Sequence, residues 1–301
     1  MPPKTVTAPQ AGAGHCREQR SGLAASEQNC QFLIAITGRL LTFRPAMAFD
    51  FTLDEEFPHL SKAPIVEAVV QINARATAEW KQEGIVPAFQ RELGSSVPLV
   101  PENAQSLQFV VASVNTPAVS SSSYWQGVRT GPGVRPEIIR FTRDLFAYSR
   151  LSPYEHWEAF QKRAMELFLV HCRIAQPKIA QRIGVRFINR IPMLQGLMLE
   201  DYFTSPPNDT SGLDLPISGF LHQVTFQTPN YPYTINVSRT VQQTPDLLKQ
   251  PPALILDIDV FTLAPTSIDQ KALEGHLIRM RWLKNKVFFG SITPTLRDTF
   301  Q

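Results

Sequence analysis

Gln181-Arg-Ile-Gly-Val-Arg-Phe-Ile-Asn-Arg-Ile191 is the stretch on which the reading of the fold turns. It reads as a β-strand in the middle of the chain, and Arg182, Arg186 and Arg190 share one of its faces because side chains alternate along a strand. Immediately before it lies a helical segment. Ser152 is placed to cap that helix, Pro153 suits its first position, and Glu155 completes a capping box. Trp157, Phe160, Ala164, Leu167, Phe168 and His171 then follow helical spacing until Pro177.

The pattern continues outward in both directions. Upstream, Pro64–Ile72 is a β-branched strand, and a helix follows from about Thr77 to Leu93, with Val86, Phe89 and Leu93 on one stripe. Gly84 and Pro87 weaken its first half. Strands are expected at Ser106–Val114, Ser122–Arg129, Glu137–Thr142 and Leu145–Ser149, with a turn at Arg143-Asp144 and a polar loop at Ser120–Ser123. Downstream come a short helical piece near Leu197–Phe203 and strands at Gly219–Gln227, Tyr233–Val241 and Ala253–Phe261. Ser267-Ile-Asp-Gln270 reads as a second capping box, opening a helix whose stripe is Leu273, Leu277, Met280 and Leu283. Asn285 suits the left-handed position after that helix, and Val287-Phe-Phe289 reads as a last strand.

Each half thus runs strand, helix, strands, helix. The expectation is an α+β fold made by duplicating one unit, over residues 61–176 and 178–293, with long helices packed on one face of an antiparallel sheet. Residues 1–46 show no such periodicity. They read as a disordered or mis-annotated extension, with Met47 as the expected start of a single domain over 47–301.

Composition narrows the function. The chain is 43% hydrophobic, enough to bury a core. Residues 1–46 carry Lys4, Arg17, Arg20, Arg39 and Arg44 against Glu18 and Glu27, which accounts for the whole net charge of +3. The remainder is neutral, which argues against a nucleic-acid or membrane partner, since phosphate surfaces are gripped by basic excess. Cys16, Cys30 and Cys172 form no CxxC pair, so neither a disulfide framework nor a zinc site is expected, and a reducing cytoplasmic compartment fits.

Five segments together resemble a sporadically distributed family of uncharacterised bacterial proteins. They are Ala63-Pro-Ile-Val-Glu-Ala68, Leu151-Ser-Pro-Tyr-Glu-His-Trp157, Arg182-Ile-Gly-Val-Arg-Phe-Ile-Asn-Arg190, Leu256-Asp-Ile-Asp-Val260 and Leu283-Lys-Asn-Lys-Val-Phe-Phe-Gly-Ser-Ile-Thr293. The resemblance covers residues 57–293 and places the family's usual start just before Ala63. It supplies no established activity or catalytic residue, and its sporadic occurrence associates it with defence or mobile islands.

The candidate polar face is Glu67, Arg182, Arg186, Arg190, Asp257 and Asp259. Asp257 and Asp259 lie two apart in a strand and so project together; with Glu67 they could hold a divalent metal for a phosphoesterase or nuclease. The plainer reading pairs them with the three arginines across strands. Those arginines could instead grip phosphate, but in a neutral domain a paired face is the ordinary outcome. The histidines His15, His59, His156, His171, His222 and His276 show no metal-binding spacing, His171 reads as a packed core residue, and Cys172 as an inert thiol. Arg279, Arg281, Lys284 and Lys286 read as a helix C-terminus favoured by the dipole. No phosphate loop, dinucleotide fingerprint or nucleophile elbow is present. The expectation is a non-catalytic binding module for a protein or small-molecule partner, with no cofactor and no metal.

Overall fold

A computed structural model describes residues 49–301 apart from 112–116, 134, 195, 208–211, 213–217 and 243–251. The expectations for residues 1–46, including Cys16, Cys30 and His15, lie outside the described residues. In the first half the elements are β1 (Ile65–Asn73), α1 (Gln82–Leu93), β2 (Leu99–Val111), β3 (Pro117–Thr130), β4 (Glu137–Thr142), β5 (Phe146–Leu151) and α2 (Trp157–Ala175). The second half holds β6 (Ile179–Ala180), β7 (Arg182–Pro192), α3 (Leu199–Tyr202), β8 (Leu221–Gln227), β9 (Thr234–Gln242), β10 (Ala253–Thr262), β11 (Thr266–Ser267), α4 (Gln270–Ser291) and α5 (Pro294–Asp298).

Among the described residues, nine strands form one sheet in the order β2-β3-β4-β5-β1-β7-β10-β9-β8. All neighbours run antiparallel, so the fold is α+β. β1 and β7 pair near the middle. From them the order runs outward through β5, β4, β3 and β2 on one side and through β10, β9 and β8 on the other.

Alternation within β7 separates two environments. Ile183, Val185, Phe187 and Ile191 are buried, whereas Arg186 is exposed and Arg182 and Arg190 are half-buried. Phe187 meets Trp157 and Phe160 of α2, with ring centroids 6.4 and 5.9 Å away, and Phe146 of β5 meets Phe168 at 5.4 Å. Each such aromatic side chain contributes about 1.5–3 kcal/mol by leaving water. Leu273, Leu277, Met280 and Leu283 of α4 are buried in the same core.

Several expected boundaries are corrected. α1 starts at Gln82, not Thr77; Thr77 N–H is instead bonded to the Ala175 carbonyl. α2 is capped by His156, which accepts from Ala159 N–H at 3.3 Å, not by Ser152. Ser152 N–H is committed to the Val66 carbonyl and Glu155 to Arg150 at 2.6 Å, so neither serves the helix. Likewise Asp269 caps α4 by accepting from Ala272 N–H, while Ser267 pairs with Ile179. Ser120–Ser123 is no loop; it lies in β3, opposite Gln105–Gln108.

The largest correction concerns Val287-Phe-Phe289, which continues α4 to Ser291. Phe288 keeps the helical period set by Leu277 and is buried, and Phe289 stacks on Phe57 at 5.6 Å. Those contacts override the strand preference of Val-Phe-Phe. Arg279, Arg281, Lys284 and Lys286 therefore sit inside the helix, and the last turn carries no basic residue.

Residues 49–60 run as a strap against α4. Phe49 and Phe51 lie 6.0 and 5.2 Å from the Trp282 ring, and Tyr231 donates its hydroxyl to Asp50 at 2.6 Å. Glu55 accepts from the Trp282 indole at 3.0 Å and from Lys286 at 2.6 Å.

Candidate functional site

The residues singled out on the sheet come together as a paired face. Arg186 lies directly opposite Asp259 in the β7–β10 register and reaches diagonally to Asp257, at 2.5 Å. Arg182 reaches Asp259 at 3.0 Å. Its guanidinium passes over Gly184, where an added Cβ would stand 2.8 Å from Arg182 Nη1, and over the Phe261 ring at 4.6 Å. A side chain at 184 would displace it. Arg190 turns away to donate to Gln242 at 3.1 Å.

Glu67 lies on β1, opposite Ile188, which is itself opposite Asp257 on β10. Two strand spacings, about 10 Å, separate Glu67 from Asp257 in backbone terms, with β7 between them. The aspartate oxygens already accept from arginine, so the three acids offer no open ligand set. Burial raises the Asp259 carboxyl above its ordinary range, against the lowering charges of Arg182 and Arg186. Among the described residues no group of three or more His, Cys, Asp or Glu is arranged to hold a metal.

A cleft lies elsewhere, between the strap, the entry to α2, β7 and α4. It encloses about 450 Å³, within the roughly 300–1,000 Å³ of ligand pockets. Phe57, Trp157, Ile278, Trp282, Phe288 and Phe289 give it apolar and aromatic walls. Its polar lining includes Tyr154, Asn189 and Lys284, with His59 and His156 also present. Asn189 is buried, and its amide nitrogen donates to the Leu256 carbonyl at 3.0 Å.

Lys284 is the unusual charge. Its Nζ stands 4.3 Å from the centre of the Phe187 ring, and no carboxylate of the described residues pairs with it. Burial, reinforced by the charge of Arg281 one turn earlier, lowers its pKa to about 7. The acids around the cleft are mostly engaged already. Glu55 binds Lys286, Glu155 binds Arg150, and Glu158 binds Arg281 at 3.0 Å. Glu56 is exposed. The cation–π contact with Phe187 favours the charged amine by about 0.5–2 kcal/mol, and so offsets only part of the desolvation. Tyr154 faces the same Phe187 ring at 5.7 Å, and burial pushes its phenol well above the ordinary range, so it stays protonated.

The sequence reading missed this cleft. It placed Lys284 at a helix end and did not single out Tyr154 or Asn189. The available signal was helical: 273, 277, 280 and 284 fall on one stripe, which puts a lysine at a core-facing position. His171, by contrast, lies buried among Phe89, Phe141, Phe146 and Phe168, all with ring centroids within 6.3 Å. Cys172 is a free, half-buried thiol whose pKa burial pushes up to about 11. Both sit in the packing of α2.

No helix of the described residues is long and apolar enough to cross a membrane. Neither a protein-family model nor a curated protein matches the sequence.

Proposed function

We propose that this protein is a non-catalytic binding module whose ligand is a small molecule held in the Lys284 cleft. One observation carries the reading. Four of the five segments that resemble the bacterial family line the same cleft: Ala63 and Ile65, Tyr154 to Trp157, Asn189, and Lys284, Asn285, Phe288 and Phe289. Membership of that family, and duplication of a unit whose long helices pack on one face, belong to the same proposal. The mirrored strand order about β1–β7 supports the duplication.

The walls suit an apolar or aromatic body, and Lys284, Asn189 and Tyr154 supply a few polar groups to orient it. A metal-dependent phosphoesterase built on Glu67, Asp257 and Asp259 is the weaker reading, because Arg182 and Arg186 already occupy the aspartates.

Ligand-observed NMR with a library of small aromatic carboxylates and amides tests the binding reading. Ile278, exposed at the rim, is the residue to enlarge. Fragments that bind the native chain should be lost in Ile278→Trp, which fills the cleft. No binding, or binding indifferent to that substitution, overturns the proposal.

A further inference from the structure

The binding reading leaves open what an amine without a carboxylate partner does in a cleft with aromatic walls. A lysine retained only for structure usually keeps its charge in water or pairs it. Lys284 is half-buried, yet its Nζ lies over the Phe187 ring at the cleft and no carboxylate of the described residues reaches it. Lys286, two residues on, shows the ordinary outcome: it is ion-paired with Glu55 and half-exposed.

We propose that Lys284 is a nucleophilic amine that captures an aldehyde or ketone ligand as a reversible imine. This rests on the cleft being the ligand site. The amine nitrogen attacks the carbonyl carbon, and a proton moves from nitrogen to oxygen to give a carbinolamine. The carbinolamine oxygen then leaves as water after gaining a proton, the nitrogen lone pair forms the C=N bond, and the resulting iminium nitrogen gives its remaining proton back to leave the imine. Amine and carbonyl become imine and water, with no change of oxidation state. The reaction needs the neutral amine, which an aromatic wall and the lack of an ion-pair partner favour, the cleft's Glu55, Glu155 and Glu158 being paired with Lys286, Arg150 and Arg281. A lowered lysine pKa agrees with that requirement. Tyr154, kept protonated in the same cleft, is a donor available to the carbonyl oxygen. The aromatic walls favour a carbonyl compound with an apolar or aromatic body over a bare sugar aldehyde.

The test uses the full chain with benzaldehyde and cyanoborohydride, which converts the imine to a stable benzylamine, followed by peptide mapping across pH 6–9. An ordinary lysine, with a pKa of ~10.4, is neutral in about 0.04% of molecules at pH 7. An amine titrating near neutrality is far richer in the reactive form, though less nucleophilic per molecule. Lys284 should therefore be benzylated at least about tenfold faster than Lys286 at pH 7. Its rate should level off above neutrality, whereas that of an ordinary lysine keeps rising through about pH 9. Ile278→Trp should abolish the selectivity. Modification of Lys284 no faster than Lys286, or a rate still rising at pH 9, overturns the imine. If aromatic fragments bind and Lys284 stays unselective, the imine fails and the binding cleft stands. If fragments do not bind and labelling is unselective, both fail.

Discussion

Lys284 holds a position in which its charge costs stability. In an unfolded chain it titrates near ~10.4, and in the folded chain burial brings it to about 7. Between those values the unfolded state binds the extra proton, so wild-type stability rises with pH through that window, and below about 7 the penalty is fully present. Lys284→Met keeps the stem and removes the amine. At pH 6 it should raise the midpoint of thermal unfolding by about 2–4 °C, and the gain should shrink as pH climbs toward 10. Calorimetry of both chains across that range is the measurement; a lower midpoint for the variant at every pH would make Lys284 a structural cation. The contrast with Arg182 and Arg186 is instructive. Parity alone placed those arginines on a face shared with Asp257 and Asp259, because cross-strand pairing follows from the period of two. Lys284 could be recognised only by carrying the α4 stripe one step beyond Met280.

At the level of elements, α2 carries a built-in acid sensitivity. His171 falls on the apolar stripe and is fully buried. Neither of its ring nitrogens makes a well-formed hydrogen bond. Burial lowers its pKa from 6.5 to about 4, weakly opposed by the backbone of Ala74. The unfolded state therefore takes up the proton first as pH falls, and stability is lost between about 6.5 and 4. His171→Phe should remove that loss. Its midpoint advantage over the wild type should be flat above pH 6.5 and widen steadily toward pH 4, as read by circular dichroism melts. Equal acid dependence in the two chains would place the sensitivity elsewhere. The α2 stripe was legible in the sequence because its spacing is local, and its cap was not, because Ser152 is held by the sheet through Val66. The end of α4 was hidden for the same kind of reason: Phe57, more than two hundred residues away, is what Phe289 stacks against.

For the whole molecule, the strap joins the start of the described chain to α4 and to the β8–β9 turn. A chain beginning at Pro58 loses Phe49, Phe51 and Phe57 from their aromatic contacts, and Glu55 from Trp282 and Lys286. The three phenylalanines are half-buried, so each contributes about half of the roughly 1.5–3 kcal/mol of full burial; the midpoint should drop by at least about 5 °C, and the chain should lose a wall of the cleft. A chain beginning at Met47 should melt within about 2 °C of the full chain, because residues 1–46 offer no periodic face to bury. Thermal unfolding of the three chains, with the same fragments used on the cleft, decides both points. The sequence by itself determined the α+β class, most strands, the α2 stripe and the shared face of Arg182, Arg186, Asp257 and Asp259. Each of these follows from side-chain period within a few residues. Only the tertiary structure decided the helix caps, the length of α4, the strap and the Lys284 cleft. Those depend on which distant groups claim a backbone N–H, cover an aromatic ring or leave an amine without a carboxylate, and no local period encodes that.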